Sequence, residues 1–467
     1  MKRFLLFLFA FTIGSFLFLQ NVTGQVATNS GSGLAANYTS LANAITALNA
    51  ATITSPVIIT LTGNETAPAG TGYYITATGT AANTLTIQGS SSTITAGANS
   101  ANGSMDAVFK IVGGDYITIQ NFTIQENTVA NTITATGATN TMTEAGVLII
   151  HASATNGAQN NTIQNNTITL SSVYPNAVGI LSTSCSTTSN ASPGVNTTAD
   201  ATSTAGTNSG NKIYGNTISN VAFGMMFICP PITATVFETG NDVGGTSLTT
   251  ANTITYGNNT ASTAPWNRST AASGGIVYRN GAGNNMRFNT INTIGTLSIV
   301  STAILISSGS TPSGVTYTST ISDNTITMTN VGITTITGID FGHGISTGTI
   351  VGSNNNLTIN QTTTAANSGA VTGIKANYAS ATNTCSSNTM VFNQSETTGA
   401  LSGATTGITV AGAGSTLTTN SNNITINQTG SGTGTITGAV IAINSSAIAT
   451  TANALNNTIV FNSTFRL

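Results

Sequence analysis

Ionised side chains are scarce in this sequence. Its 467 residues include 9 Lys and Arg and 11 Asp and Glu, so 4% of the chain is charged, against about 25% in an ordinary soluble domain. So few basic residues exclude an electrostatic surface for nucleic acid or for an anionic membrane. Disorder driven by net charge is excluded as well, because 39% of the residues are hydrophobic.

Cysteine is equally scarce, with Cys185, Cys229 and Cys385 as the whole complement. Three cysteines allow at most one disulfide within the chain, which excludes a disulfide-stabilised scaffold. Cys185 and Cys229 follow glycines of neighbouring repeats by similar distances, and we predict that they stack on each other or form a disulfide. We expect Cys385 to be buried. The cysteines form no metal-binding motif, and neither a metal nor another cofactor is predicted.

The first 24 residues have the order of a secretory signal peptide. Lys2 and Arg3 precede an apolar run of 16 residues, Phe4–Leu19, and small residues follow it. A membrane-spanning helix needs about 20 residues, so the pattern favours a cleaved signal, with Gln25 as the first residue of the mature chain. We expect a secreted or outer-cell-surface protein that does not insert into a membrane after signal removal.

What the sequence does contain is a repeat. A short apolar segment that opens with glycine recurs along the chain, and Ala303 replaces the glycine in one copy. The opening glycines are Gly146, Gly179, Gly224, Gly275, Gly338, Gly373, Gly407 and Gly438. An alternating stretch rich in Asn, Thr and Ile follows each opening. In the last copies the equivalent residues Asn360, Asn393, Asn427 and Asn462 are 33, 34 and 35 residues apart.

A period in the low thirties, built from short strands, predicts an all-β fold, a right-handed parallel β-helix with one coil per repeat. A propeller blade would be longer and would show hairpin turns. In stacked coils each residue lies about 4.8 Å above its counterpart. A repeated charge would therefore repel its own copies, whereas Ile, Val, Thr and Asn stack favourably. Asn also tolerates the left-handed backbone of a sharp turn.

The segment before the repeats predicts an amphipathic helix over residues 40–50. Its apolar residues have helical spacing, and Thr39 or Ser40 is a suitable N-cap. We expect the helix to cover the open end of the solenoid, because unpaired strands invite aggregation.

The spacing of the repeats also predicts the division of the chain. Residues 25–110 would form the N-terminal cap and the first coils, and residues 111–467 the β-helix repeats. Successive glycines from the first copy are 33, 45 and 51 residues apart, which places loop insertions at 186–210 and 230–252. The sequence stops in the middle of a repeat, and we expect a truncated C-terminus.

These features together resemble a known group of proteins. The cap helix, the strand segments Leu85–Gly89 and Asp115–Ile124 and the Asn-Thr-Ile repeats are similar to secreted bacterial β-helix proteins of the pectin-lyase-like superfamily. The resemblance covers nearly the whole mature chain. It implies the fold without implying one activity, since the superfamily includes lyases, hydrolases, esterases and non-catalytic surface proteins.

The loop insertions predict a binding face, because insertions in a solenoid gather on one side. The aromatic and basic residues near them are Trp266, Arg268, Tyr278, Arg279 and Arg287. An aromatic ring together with planar guanidinium donors suits sugar rings and acidic saccharides. The alternative is that Trp266 covers the side of the stack and that the arginines keep the loops soluble.

A second group, Asp323, Asp340, His343 and Lys375, is where catalysis would reside. The Gly-His-Gly segment at His343 resembles a motif of polygalacturonases, and the Ile-Lys pair at Lys375 loosely resembles another. Those enzymes need several converging carboxylates, and their Asn-Thr-Asp and Asp-Asp pairs are missing here. Asp340 and Lys375 each lie two residues after a repeat glycine, so we predict that they stack as a structural ion pair. Lyase chemistry is disfavoured because no cluster of three acids could hold calcium.

The sequence therefore favours a non-catalytic secreted or cell-surface protein with a structural, adhesive or glycan-binding function. Its partner would be an extracellular polysaccharide or a host or cell-surface glycan, and its oligomeric state is open. The alternative is a polysaccharide-degrading hydrolase or lyase of the same fold. A third hypothesis is ice binding through ranks of Thr, which requires a flat lattice that coils of unequal length disturb.

Overall fold

The computed structural model describes most of the chain after the predicted signal. The described ranges are 25–100, 105–134, 140–186, 201–229, 236–257, 273–279, 281–295, 300–307, 318–330, 334–341, 348–363, 369–376, 382–396, 402–410, 416–431, 437–445 and 451–466. Within them, the backbone alone is described at 184–186, 282, 307, 363, 431 and 465–466.

Parallel strands wind through these ranges as a right-handed β-helix, as the sequence predicts. One sheet, called sheet 1, has eleven strands and takes one strand from each successive repeat. Its strands are Tyr73–Ile75, Ala107–Val112, Ala145–His151, Val178–Ser186, Phe223–Ile228, Ser273–Arg279, Ser301–Ser307, Ile336–Phe341, Val371–Ala376, Thr405–Val410 and Val440–Ser445.

The larger sheet, called sheet 2, has 24 strands, most of them in two successive runs per coil. Its first strands are Val26–Thr28, Asn37–Tyr38, Val57–Leu61, Glu65–Thr66, Leu85–Thr95 and Ile117–Gln125. The paired runs are Thr162–Gln164 with Thr167–Thr169, Lys212–Tyr214 with Thr217–Val221, Asp242–Val243 with Thr253–Tyr256, Asn285–Arg287 with Thr290–Thr293, Thr318–Ser322 with Thr325–Asn330, Thr349–Val351 with Asn356–Thr363, Thr382–Thr384 with Thr389–Glu396, Thr416–Thr418 with Asn423–Ser431, and Thr451–Asn453 with Thr458–Arg466. Glu238–Thr239 and Gly281–Ala282 form a separate parallel pair.

The predicted helix spans Leu41–Ala50, and Ser40 is its N-cap. The Ser40 Oγ accepts a hydrogen bond from the Asn43 backbone N–H at 3.2 Å, which satisfies one of the free donors at the helix start. The four residues of the apolar stripe are buried in the same cluster as the first strands. Within the described ranges, short 3-10 turns occur at Gly31–Gly33, Thr204–Gly206 and Leu248–Thr250. Among the described residues, no helix has the length and apolarity needed to cross a membrane.

The N-terminal end also contains antiparallel pairing that the repeat pattern did not predict. Val26–Thr28 runs antiparallel to both Asn37–Tyr38 and Val57–Leu61. Val57–Leu61 then pairs in parallel with Leu85–Thr95 on its other side. The strand Val26–Thr28 therefore covers an edge of the first parallel strand, and exposed edges of this kind otherwise recruit other chains.

A ladder of asparagines runs along the turn that joins the two runs of sheet 2. We call it the buried ladder, and its members are Asn166, Asn216, Asn252, Asn289, Asn324, Asn355, Asn388, Asn422 and Asn457. All but Asn457 are fully buried. The residue just before each member, except Asn252, has a positive φ, as at Asp323 with 61°. The left-handed backbone and the ladder hydrogen bonds thus fall on adjacent positions. The first residue forms the sharp turn, and the asparagine after it joins the ladder.

The repeat glycines are explained by the narrow interior of the coil. A Cβ on Gly224 would lie 2.3 Å from the Ile254 Cγ2 and 2.5 Å from the Gly275 carbonyl oxygen. A Cβ on Gly179 would lie 2.4 Å from the Ile218 Cγ2. Real Cβ atoms do not approach other atoms so closely, because interiors are packed to crystal-like density. At Gly179 and Gly224 sheet 1 therefore has no room for a side chain, because sheet 2 projects an isoleucine towards each of them.

Candidate functional site

The outer face of sheet 1 changes from apolar to polar along the solenoid. One register column runs Leu148, Leu181, Met226, Val277, Leu305, Asp340, Lys375, Thr409 and Asn444. Its apolar members are buried, and several belong to a second hydrophobic cluster separate from the main core. The predicted insertions lie within the stretch of sequence, Leu148 to Leu305, that supplies the apolar members. Residues 201–210 and 236–252 of these insertions are described. The polar part begins at Asp340.

Asp340 and Lys375 are neighbours in this column, which confirms the predicted pair. They are register partners on adjacent strands, and the Lys375 Nζ donates to the Asp340 Oδ2 at 3.0 Å. Asp323 lies elsewhere, in a turn of sheet 2, where the Arg287 Nη2 reaches its Oδ2 at 3.4 Å. His343 lies outside the described residues. The structure therefore places the two aspartates of the predicted catalytic group on different sheets, each beside its own cation.

We expect the Asp340–Lys375 contact to act as a modest structural pair. A double-mutant cycle with Asp340→Asn and Lys375→Met should give a coupling free energy of about 1 kcal/mol, because the side chains keep part of their contact with water. Urea unfolding of the four proteins followed by circular dichroism measures it. A coupling free energy of zero would show that the pair does not contribute to stability.

The structure places the described residues of the predicted binding face in different environments. Tyr278 is fully buried and stacks on Phe227, with ring centroids 4.6 Å apart. Its predicted place in a ligand-binding surface is therefore wrong, because Tyr278 faces the core. Arg279 is half-buried, and burial lowers the pKa of its guanidinium. Arg287 lies over the Phe288 ring at 5.1 Å and pairs with Asp323. Trp266 and Arg268 lie outside the described residues.

A buried polar cluster surrounds the Tyr278 hydroxyl, and sequence reasoning missed it. The Glu238 Oε1 accepts hydrogen bonds from the Asn241 Nδ2 at 2.8 Å and from the Tyr278 hydroxyl at 3.3 Å. Burial raises the pKa of the Glu238 carboxyl to about 7. Burial and the nearby Glu238 raise the pKa of the Cys229 thiol well above its usual value. The signal available in the sequence was an acid placed between apolar segments of an almost uncharged chain.

Of the two alternatives predicted for Cys185 and Cys229, the disulfide is not formed, because Cys229 is a buried thiol. Their stacking stays a prediction. The backbone of Cys185 belongs to Val178–Ser186, which pairs with the strand that leads to Cys229, but the Cys185 side chain lies outside the description. Cys385 is buried as predicted, and burial raises the pKa of its thiol to about 12.

Glu238 gives the fold a pH dependence of definite sign. Its pKa is about 7 in the folded chain and near its usual value of about 4.3 in the unfolded chain, so the folded state binds the proton more tightly. The resulting stabilisation is complete below about pH 4 and is lost as the pH rises through 7. When the pH is raised from 5 to 8, the ionisation of Glu238 should lower the urea concentration at the unfolding midpoint. The decrease should correspond to a loss of about 2 kcal/mol in the free energy of unfolding.

Glu238→Gln is the matched variant for this pH dependence, because an amide keeps the volume and cannot ionise. The variant should remove the part of the slope that comes from Glu238. The rest should persist from Asp106, whose pKa burial raises to about 6, and from Glu144, whose pKa burial raises well above its usual value. Equal slopes in the variant and the parent would contradict the assignment to Glu238.

A second ladder of asparagines faces outwards and forms the best candidate for a ligand site. We call Asn360, Asn393, Asn427 and Asn462 the outer row. The Nδ2 atoms of Asn393, Asn427 and Asn462 each donate to the Oδ1 of the preceding rung, at 2.9, 2.8 and 2.8 Å. Thr362, Ser395 and Thr429 lie beside the row, and together with its first three asparagines they line a shallow groove of about 310 Å³.

The neighbouring glutamines face the opposite way. The Gln394 Nε2 donates to the Gln361 Oε1 at 2.6 Å, and the Gln428 Nε2 donates to the Gln394 Oε1 at 2.9 Å. All three glutamines are buried. Adjacent Asn and Gln of the late repeats therefore form ladders on opposite faces of one sheet, because successive side chains of a strand alternate between faces.

In the described part of the chain, no three His, Cys, Asp or Glu side chains come together as metal ligands. Comparison of the chain with protein-family models, with curated proteins and with solved structures found no significant match.

Proposed function

We propose that this chain is a secreted or cell-surface β-helix of the pectin-lyase-like type, with a structural or adhesive function, that binds glycans without cleaving them. The observation that carries the proposal is the outer row, a regular series of uncharged hydrogen-bonding groups along the outside of the solenoid. Carbohydrate recognition needs donors and acceptors held at fixed positions on a firm surface, and stacked strands provide one. The order of residues at the N-terminus supports export.

The positions of Asp323, Asp340 and Glu238 support binding over catalysis. Glycosidases place two carboxyl groups on either side of one bond, about 5 to 10 Å apart. Here Asp340 pairs with Lys375 on sheet 1, Asp323 pairs with Arg287 at a turn of sheet 2, and Glu238 is buried beneath the surface. Each of these three acids has a structural partner among the described residues.

Polysaccharide binding combined with an assay for cleavage tests the proposal. The mature chain should be retarded in native gels that contain a neutral or an acidic polysaccharide, and it should release no reducing ends from either. Migration unaffected by every polysaccharide would contradict glycan binding. Release of reducing ends that His343→Ala abolishes would show instead that the protein is a hydrolase or lyase.

A further inference from the structure

We infer that the outer row binds a neutral polysaccharide whose chain lies along the long axis of the solenoid. The inference rests on the proposed function and adds to it a location and a class of ligand. It concerns the strands Asn356–Thr363, Thr389–Glu396, Asn423–Ser431 and Thr458–Arg466, which are consecutive neighbours in sheet 2.

The hydrogen bonds within the row leave capacity for a ligand. A primary amide has two N–H donors and an oxygen with two lone pairs. At Asn393 and at Asn427 the row uses one N–H and one lone pair. Each of these rungs therefore offers one donor and one acceptor to the outside, as an adjacent pair of sugar hydroxyls requires.

The row also holds its side chains in place before a ligand arrives. Asn393 and Asn427 are each fixed by the rungs above and below, at 2.8–2.9 Å, and Asn360 and Asn462 are each fixed by one rung. Ordering flexible side chains on binding costs conformational entropy. Because the ladder has already ordered these amides, a weak contact at each sugar can add up along an extended polymer.

The surroundings of the outer row combine hydroxyl groups with methyl groups, which suits sugars because a sugar has both hydroxyls and apolar C–H faces. Hydroxyls of Thr362, Ser395 and Thr429 lie on one side, within the same groove. On the other side the register column alternates between Thr and Val, in the order Thr358, Val391, Thr425 and Val460. Its methyl groups can contact the C–H faces of a sugar ring while the amides bind the hydroxyls.

The absence of charge from the row favours a neutral polymer. Its side chains are all amides or hydroxyls, and Glu396, on one of the same strands, faces the interior with 4% of its surface exposed. A polymer of uronates or sulfated sugars would call for cationic donors such as arginine. The described arginine pair, Arg287 with Asp323, lies on the other run of sheet 2 and in the turn that follows it.

The same details disfavour ice as the ligand. An ice-binding face needs a flat, regular array of identical hydroxyls. The alternation of Val391 and Val460 with threonine interrupts that array, and the groove makes the surface concave.

The test is affinity electrophoresis of the mature chain in gels containing hydroxyethyl cellulose, galactomannan or polygalacturonate. The double variant Asn393→Ala/Asn427→Ala removes the centre of the row, and Thr429→Arg fills the groove from an exposed position without touching the ladder. Gln120→Ala is the matched control, because Gln88, Gln120 and Gln164 form another outward amide ladder. Thermal unfolding of each variant confirms that it is folded.

We expect the parent chain to bind at least one of the two neutral polymers. The double variant and Thr429→Arg should each weaken that binding at least ten-fold, while Gln120→Ala should leave it unchanged. Binding to a neutral polymer that neither row variant alters would overturn the inference and leave the proposed function standing. Binding to polygalacturonate alone would overturn the neutral ligand class.

The two remaining outcomes are also decisive. Binding to none of the three polymers would remove support for the proposed function and for this inference together. Thermal hysteresis in the parent chain that the double variant abolishes would identify the row as an ice-binding surface and would overturn the inference.

Discussion

Replacing Asn324 by leucine should lower the free energy of unfolding by about 3–5 kcal/mol, since each buried polar group left without a partner costs about 1–3 kcal/mol. The Asn324 Nδ2 donates to the Met286 carbonyl at 2.9 Å and to the Asn355 Oδ1 at 3.0 Å. Its Oδ1 accepts from the backbone N–H and the Nδ2 of Asn289. Leucine fills the same volume, so the loss measures hydrogen bonding and not a cavity.

The matched control is Asn427→Ala in the outer row. Its amide is half-exposed, so water can replace the lost partners, and the cost should stay below about 1 kcal/mol. Urea unfolding monitored by circular dichroism compares the two. Equal losses of unfolding free energy at Asn324 and Asn427 would contradict the claim that burial makes the buried ladder contribute more to stability than the outer row.

Gly224→Val should be the second severe substitution, costing about 3 kcal/mol or preventing the coil from closing. The new Cβ would meet the Ile254 side chain and the Gly275 carbonyl oxygen at 2.3 and 2.5 Å. The carbonyl belongs to the sheet backbone and cannot move aside, and overpacking of a close-packed core costs about 1–3 kcal/mol even where side chains can adjust. The thermal midpoint of the purified variant and its yield of folded protein measure the effect.

Ala303 provides the control for this position. It is the glycine-less copy of the repeat, two coils further along, and it is fully buried. Ala303→Gly should cost only about 1 kcal/mol, the usual difference between the two residues in an ordered strand. A Gly224→Val protein with the parent's thermal midpoint would show that the interior is wider there than the contacts indicate.

The fold and much of its register could be predicted because stacking makes each coil repeat the chemistry of the last. Counting two residues from each repeat glycine was enough to pair Asp340 with Lys375. The cap helix followed from ordinary helical spacing. Side-chain chemistry left Thr39 or Ser40 as its N-cap, and the structure has Ser40. Such inferences need only local rules and one period.

The direction of side chains was harder to predict. Gly275 and Ile276 both face the interior, since a Cβ on Gly275 would meet the Ile291 side chain and Ile276 belongs to the main core. Simple alternation along the strand is broken at that point. Tyr278, two residues after Ile276, faces the same side and stacks on Phe227. The sequence had predicted instead that it lines a binding surface.

The site itself could be predicted only in part for a related reason. The late asparagines were visible as a regular series, but a series alone does not say whether it faces the core or the solvent. The outer row and the buried ladder use the same residue type. A left-handed residue precedes each buried asparagine except Asn252, as Asn354 precedes Asn355. That residue distinguishes the buried ladder from the outer row, and its backbone conformation cannot be read from the composition.

Cross-linking of neighbouring rungs tests the account most directly, because the outer row exists only if these strands stack in register. Thr362 and Ser395 are register partners beside the row, and two Cα atoms about 5 Å apart can be joined by a disulfide. Oxidation of Thr362→Cys/Ser395→Cys should give an intramolecular disulfide in nearly all molecules. Thr362→Cys/Thr429→Cys, two rungs apart, should give none. Efficient cross-linking of the second pair, or failure of the first, would contradict the stacked arrangement.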